Sequence, residues 1–184
     1  MHHKTGVVIP VYFPKGIDRA QGETLLRDTT AQYCTQVHNP ANICLSVDGA
    51  IHGEEEVTKL AQEFGVSTCI RPTNRGKFSG AQQGVTHLLN NPDLAFIALV
   101  DQDGDHFANE LLNFIRTALH INLDRTLILG NRISRHRPMG FARGDLEELA
   151  DRVLLDALTY HAAQTDHPLR LEYANTLDEF PDLH

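Results

Sequence analysis

Short, continuously apolar runs rich in β-branched residues recur along the chain, and segments with helical spacing separate them. The runs are Gly6 to Tyr12 (GVVIPVY), Ile43 to Val47 (ICLSV), Val66 to Ile70, Leu94 to Val100 (LAFIALV) and Thr126 to Leu129. A strand that is apolar at successive positions is buried on both faces, as in a parallel sheet covered by helices on each side. The intervening segments, Asp18 to Val37, Gly53 to Phe64, Lys77 to Leu89 and Ala108 to His120, space their apolar residues as helices do. The second opens with Glu54, Glu55 and Glu56, which suit the positive end of a helix dipole, and Gly65 stops it. Strand and helix in this alternation predict βαβ units, an α/β class and a mainly parallel sheet with helices on both faces. LAFIALV, the most apolar run, is expected to be the central strand.

Beyond Gly130 the rhythm weakens. Asn131 to Gly144 carries Arg132, Arg135, Arg137 and Arg143 and reads as a loop. Asp145 to Ala163 reads as an amphipathic helix, and LRLEY, within Pro168 to His184, as one more strand before an acidic tail. The expected organisation is a single domain over 1–184 whose C-terminal part is incomplete. With 41% hydrophobic and 22% charged residues, the 184-residue chain is not a collagen, a coiled coil or a disordered polymer. No run reaches the roughly 18 apolar residues of a membrane span, and the first residues do not resemble a leader peptide. A net charge of −8 argues for no nucleic acid among the partners. Cys34, Cys44 and Cys69 have no metal or redox spacing, so free buried thiols in a cytoplasmic setting are expected.

Ligands of open parallel sheets bind at the carboxyl ends of the strands. Those ends carry Pro10-Val11-Tyr12, Asp48-Gly49, Arg71 to Lys77, Asp101 to His106, and Gly130-Asn131-Arg132. One rim thereby collects carboxylates and cations, a mixture suited to a metal-bound diphosphate. Asp101, Asp103 and Asp105 alternate with Gln102 and Gly104, so a persisting strand would bring the carboxylates to one face. Hard oxygen ligands invite a divalent cation, Mg or Mn. The plain alternative is an acidic turn with Asp105 as the cap of the next helix. A calcium-binding EF-hand fails, because His106 and Leu112 stand where Gly and Glu are needed. A haloacid-dehalogenase (HAD)-type phosphatase would need a lysine downstream of Asp101, and Lys4, Lys15, Lys59 and Lys77 all precede it. Neither a P-loop nor a G-x-G-x-x-G turn is present. Gly80 and Gly84 share a helix face and read as close helix–sheet packing, whereas Lys77 at a helix start needs a neighbouring anion.

The motif order from about Gly6 to Arg132 resembles the family-two glycosyltransferases of GT-A fold. VVIPVY is similar to their opening strand, SVDG to the second-strand acid motif, and RPTNRGKFSGAQQGV to the N-x-G-K segment. ALVDQDGDHF is similar to the D-x-D strand end and LILGNR to the G-x-R segment. The spacing is similar to that of polyprenyl-phosphate hexose synthases of the dolichyl-phosphate mannose type. The resemblance implies a nucleotide-sugar-binding part over 1–132 and the start of an acceptor part over 133–184. It implies that Pro10, Val11 and Tyr12 line the base pocket, that Asp48 contacts base or ribose, and that Lys77 and Arg75 lie near the nucleotide. Asp101 and Asp103 would form the D-x-D pair, with Asp105 a third metal-facing group and His106 beside it. Arg132, and more weakly Arg143, would meet phosphate oxygens. No clean catalytic base matches; Asp178, Glu179 and Asp182 lie about where it is expected, and Asp182 is the one taken forward. A lipid-phosphate acceptor, already anionic, needs no strong base.

The expected activity is metal-dependent transfer of a hexose from a nucleotide-diphospho-sugar donor, UDP- or GDP-linked, to a lipid-phosphate or glycan acceptor, with peripheral membrane contact if the acceptor is a lipid. Asp103 and Arg132 would stabilise the leaving diphosphate. A non-catalytic GT-A-like nucleotide-binding module is the alternative. A nucleotidylyltransferase lacks its glycine-rich basic signature here, and the basic loop reads equally as a solvated surface.

Overall fold

The computed structural model describes residues 4–104, 106–123 and 126–130, and in the C-terminal part residues 149, 153, 156–161 and 163–165. The chain divides into two compact units, Met1–Thr126 and Leu127–His184. In the first unit, β1 (Thr5–Val11), β2 (Ile43–Asp48), β3 (Ser67–Arg71) and β4 (Phe96–Leu99) form a four-stranded sheet in the order β3-β2-β1-β4. Every pairing is parallel, with Val7 opposite Ile43, Cys44 opposite Ser67 and Val7 opposite Ala98. The class is α/β, as the alternation of runs predicts.

The two inner strands are the most buried. Val7, Val8 and Ile9 of β1 have no exposed surface, and all six residues of β2 are buried. Successive side chains point to opposite faces, so β1 feeds two cores. Val7, Ile9 and Val11 pack with Leu26 and Tyr33 of α1 (Arg19–Gln36), Val57 and Leu60 of α2 (Glu54–Phe64), and Leu111 and Ile115 of α4 (Leu111–Ile121). Val8 packs with Cys44 and Leu88 on the other face, under α3 (Lys77–Leu88). Local chemistry sets the helix ends. Asp18 caps α1 by accepting from the amides of Ala20 and Gln21, and Gly65 ends α2 with φ 71°, a left-handed conformation suited to glycine.

Two expectations are corrected. The LAFIALV strand is not central: β4 pairs only with β1 and ends the described sheet. Its residues are partly buried, and Leu99 is 54% exposed. Residues 126–130 form no strand; Leu127 and Leu129 are exposed, and a lone extended segment without a ladder partner has little to hold it. In the second unit, residues 149, 153, 156–161 and 163–165 are helical, within the helix predicted over Asp145 to Ala163. LRLEY lies outside the described residues. No helix among the described residues is long and apolar enough to cross a membrane.

The glycines of α3 do pack against the sheet. A Cβ on Gly84 would overlap Val8 Cγ1 and stand 3.1 Å from Ser46 Cβ; one on Gly80 would stand 3.3 Å from Asp48 Cβ. These contacts seat α3 directly over the ends of β1 and β2. Gly84→Ala is expected to destabilise the fold by about 1–3 kcal/mol through overpacking, only partly offset by the ~1 kcal/mol helix propensity of alanine. Thermal unfolding checks it; an unchanged or raised melting temperature would mean that α3 does not bear on β1.

Candidate functional site

In a parallel sheet the carboxyl ends of all strands share one rim, and a crevice opens where the strand order reverses. Here the reversal is at β1: the chain runs from β1 to β2 and β3 on one side, then crosses to β4 on the other. A cleft of about 380 Å³ opens there. Pro10, Val11 and Tyr12 from the end of β1, Asp48 from the end of β2, Lys77 from the start of α3, and Asp101 and Asp103 from beyond β4 all line it. Ser46, Asn74, Gly76, Gly80 and Gln102 complete the wall.

The charges are already organised. Asp48 is 5% exposed, and its Oδ2 accepts from the Arg75 amide at 2.6 Å. Its Oδ1 is buried and accepts no hydrogen bond; Arg71 Nη1 stands 3.6 Å away, an ionic rather than a hydrogen-bonding distance. Arg71 donates instead to Ser79 Oγ. The anion that the sequence requires beside Lys77 is Asp101: Lys77 Nζ lies 2.6 Å from Asp101 Oδ1. On the other side His106 Nε2 lies 3.9 Å from Asp101 Oδ2. His106 first, then Lys77, hold the Asp101 carboxyl well below the usual carboxylate range against the opposing cost of burial.

Gln102, which the sequence reading passes over, fastens the cleft. The Tyr12 amide donates to Gln102 Oε1 at 2.7 Å, and Gln102 Nε2 donates to the Tyr12 carbonyl at 3.1 Å. This two-point clasp ties the end of β1 to the loop after β4, although 90 positions separate the residues. The Tyr12 ring meets the His52 ring at 4.4 Å between centroids, and His52 Nδ1 bonds the Phe13 carbonyl at 3.1 Å. No sequence motif signals either contact, because both depend on which strands are neighbours.

No family model, curated protein or solved structure matches this chain. The site therefore rests on its own geometry. Pro10, Val11, Tyr12, Asp48, Lys77, Asp101 and Asp103 converge as the sequence predicts. Arg75 does not line the cleft with them; its side chain is exposed and its amide is the group that touches Asp48. Asp105, Arg132, Arg143, Asp178, Glu179 and Asp182 lie outside the described residues. Among the described residues, no three His, Cys, Asp or Glu side chains form a metal-binding group. Asp101 and Asp103 still present hard carboxylate oxygens on one cleft, a donor chemistry that fits Mg or Mn rather than a soft metal.

Proposed function

We propose that the protein is a glycosyltransferase of GT-A type that moves a hexose from a UDP- or GDP-sugar to a lipid-phosphate or glycan acceptor. The observation that carries this reading is the convergence, in one cleft at the reversal of strand order, of the residues that the motifs assign to base, diphosphate and metal. Tyr12 offers an aromatic face at the mouth, and Asp48 Oδ1 offers a buried acceptor for a base or ribose donor. Lys77 can turn from Asp101 to the diphosphate, with Asp101 retaining the nearby His106. Asp103, with Asp101, would hold Mg²⁺ or Mn²⁺, which when bound neutralises charge on the leaving diphosphate. The acceptor oxygen attacks the anomeric carbon from the face opposite the leaving group, and the nucleoside diphosphate departs. A lipid phosphate brings its own negative charge to this attack.

A second reading, a nucleotide-binding module without transfer, is favoured by the Lys77–Asp101 pair, which commits both groups to each other. A thermal-shift panel of UDP, GDP and their sugar conjugates, with and without Mn²⁺, tests the proposal. Saturating diphosphate of the correct base should raise the melting temperature by about 5 °C or more, and only with the ion. No shift with any nucleotide would remove both readings. A shift without donor hydrolysis or transfer would leave the binding module.

A further inference from the structure

Behind the cleft, on the α3 side of the sheet, two thiols meet. Cys44 Sγ and Cys69 Sγ lie 3.4 Å apart, although 25 positions separate them. Parallel pairing sets Cys44 opposite Ser67 and Ser46 opposite Cys69, which leaves the cysteines on one diagonal of a shared face. Cys69 Sγ donates to Ser46 Oγ at 3.2 Å, and Ser46 Oγ donates to the Gly80 carbonyl at 2.7 Å. A chain of polar contacts thus runs from Cys44, fully buried, through Cys69, partly buried, to a glycine that lines the cleft. The absence of a redox spacing in the sequence is no guide here, because the pairing arises from strand register.

We propose that Cys69 and Cys44 are a peroxide-oxidised dithiol whose product is a reversible disulfide between β2 and β3. Cys69 is the more exposed of the two and sits on β3, which has a single strand neighbour among the described residues. Its thiolate attacks one oxygen of hydrogen peroxide. The O–O bond breaks, hydroxide leaves with the electron pair, and Cys69 becomes a sulfenic acid. The sulfur of Cys44 then attacks the sulfur of Cys69; the departing hydroxide takes the proton of Cys44 and leaves as water. In sum, two thiols lose two electrons and two protons, and one peroxide becomes two waters.

The surroundings assign the roles. The hydrogen bond with Cys44, with support from Ser46, Gln83 and the charge of Arg71, lowers the Cys69 thiol against the cost of burial. The same contact, together with burial, pushes the Cys44 thiol up, so Cys44 keeps its proton until the second step. Bond formation needs the sulfurs to close from 3.4 Å to about 2.05 Å. Diagonal partners start wider than a relaxed disulfide prefers, so the bond is strained and readily reduced. Oxidation also removes the proton that Cys69 gives to Ser46, and with it one link to the seat of Gly80.

The test treats the full chain with hydrogen peroxide, blocks remaining thiols with N-ethylmaleimide and maps the peptides by mass spectrometry. The expected product is a cross-linked pair of peptides carrying Cys44 and Cys69, two hydrogens lighter than the reduced pair, restored by dithiothreitol, with Cys34 alkylated as before. Cys69→Ser should abolish the cross-link. Cys44→Ala should leave Cys69 as a sulfenic acid that dimedone captures; if that core variant does not fold, the wild-type map decides alone. Oxidation of Cys69 to a sulfinic acid with Cys44 still alkylated would overturn the proposal. So would cross-links found only between separate chains, or oxidation confined to Cys34.

Discussion

Asp103→Ala is expected to abolish the Mn²⁺-dependent part of UDP or GDP binding and to leave the fold intact. Asp103 is exposed on the rim, in the turn completed by Gly104 at φ 76°, and belongs to neither hydrophobic cluster. Substitutions at such positions usually change stability by no more than about 0.5 kcal/mol. The loss at the ligand is of another order. A carboxylate that holds a cation against a diphosphate acts where charge develops, and removing one such electrostatic stabiliser costs about 3–4 kcal/mol, roughly a thousandfold in donor turnover. Asp101→Ala would be a less selective test, because it also releases Lys77. Calorimetry of the wild type and Asp103→Ala with UDP and GDP, with Mn²⁺ and with a chelator, separates the terms. Affinities that stay equal in the two proteins with Mn²⁺ present would remove Asp103 from the site and with it the metal–diphosphate reading.

What was legible in the sequence follows from which forces act locally. The inner strands β1 and β2 could be read because burial on both faces demands an unbroken apolar run. The start of α1 and the end of α2 could be read because Asp18 and Gly65 act on their own backbone. Sheet order could not: hydropathy reports burial of a strand's faces, whereas the place of β4 depends on what covers its edges. The site divides along the same line. That Tyr12, Asp48 and Asp101 would share a rim followed from parallel strands alone. The pairing of Lys77 with Asp101, the clasp of Gln102 on Tyr12 and the meeting of Cys44 with Cys69 depend on register and rotamer, which no single segment encodes. The Lys77 pairing changes the argument most, since a cation at a helix start was explained by a phosphate and finds its anion within the chain.

Asp48→Asn is expected to weaken nucleotide binding more than tenfold, with or without metal, and this separates the base subsite from the diphosphate subsite. The carboxylate presents two unlike oxygens. Oδ2 is engaged by the Arg75 amide, while Oδ1 is buried at the cleft with no hydrogen bond. A buried acceptor left without a donor carries a cost of about 1–3 kcal/mol, which a ligand N–H or O–H recovers on binding. Asparagine can keep one of these functions only. If its carbonyl oxygen stays on the Arg75 amide, its NH₂ faces the cleft and opposes the donor that the carboxylate would accept. If it turns the oxygen to the cleft, the Arg75 amide meets an NH₂ group and the loop before α3 loses its anchor. Arg71, 3.6 Å from Oδ1, also loses its counter-charge in either orientation. Because hydrogen bonds to charged groups contribute about 1.5–3 kcal/mol, the loss falls between about ten- and a hundredfold. The decisive comparison is nucleoside against inorganic pyrophosphate: Asp48→Asn should lower affinity for UDP or GDP and leave pyrophosphate binding at Lys77 unchanged. Equal weakening of both would mean that Asp48 supports the loop rather than the base.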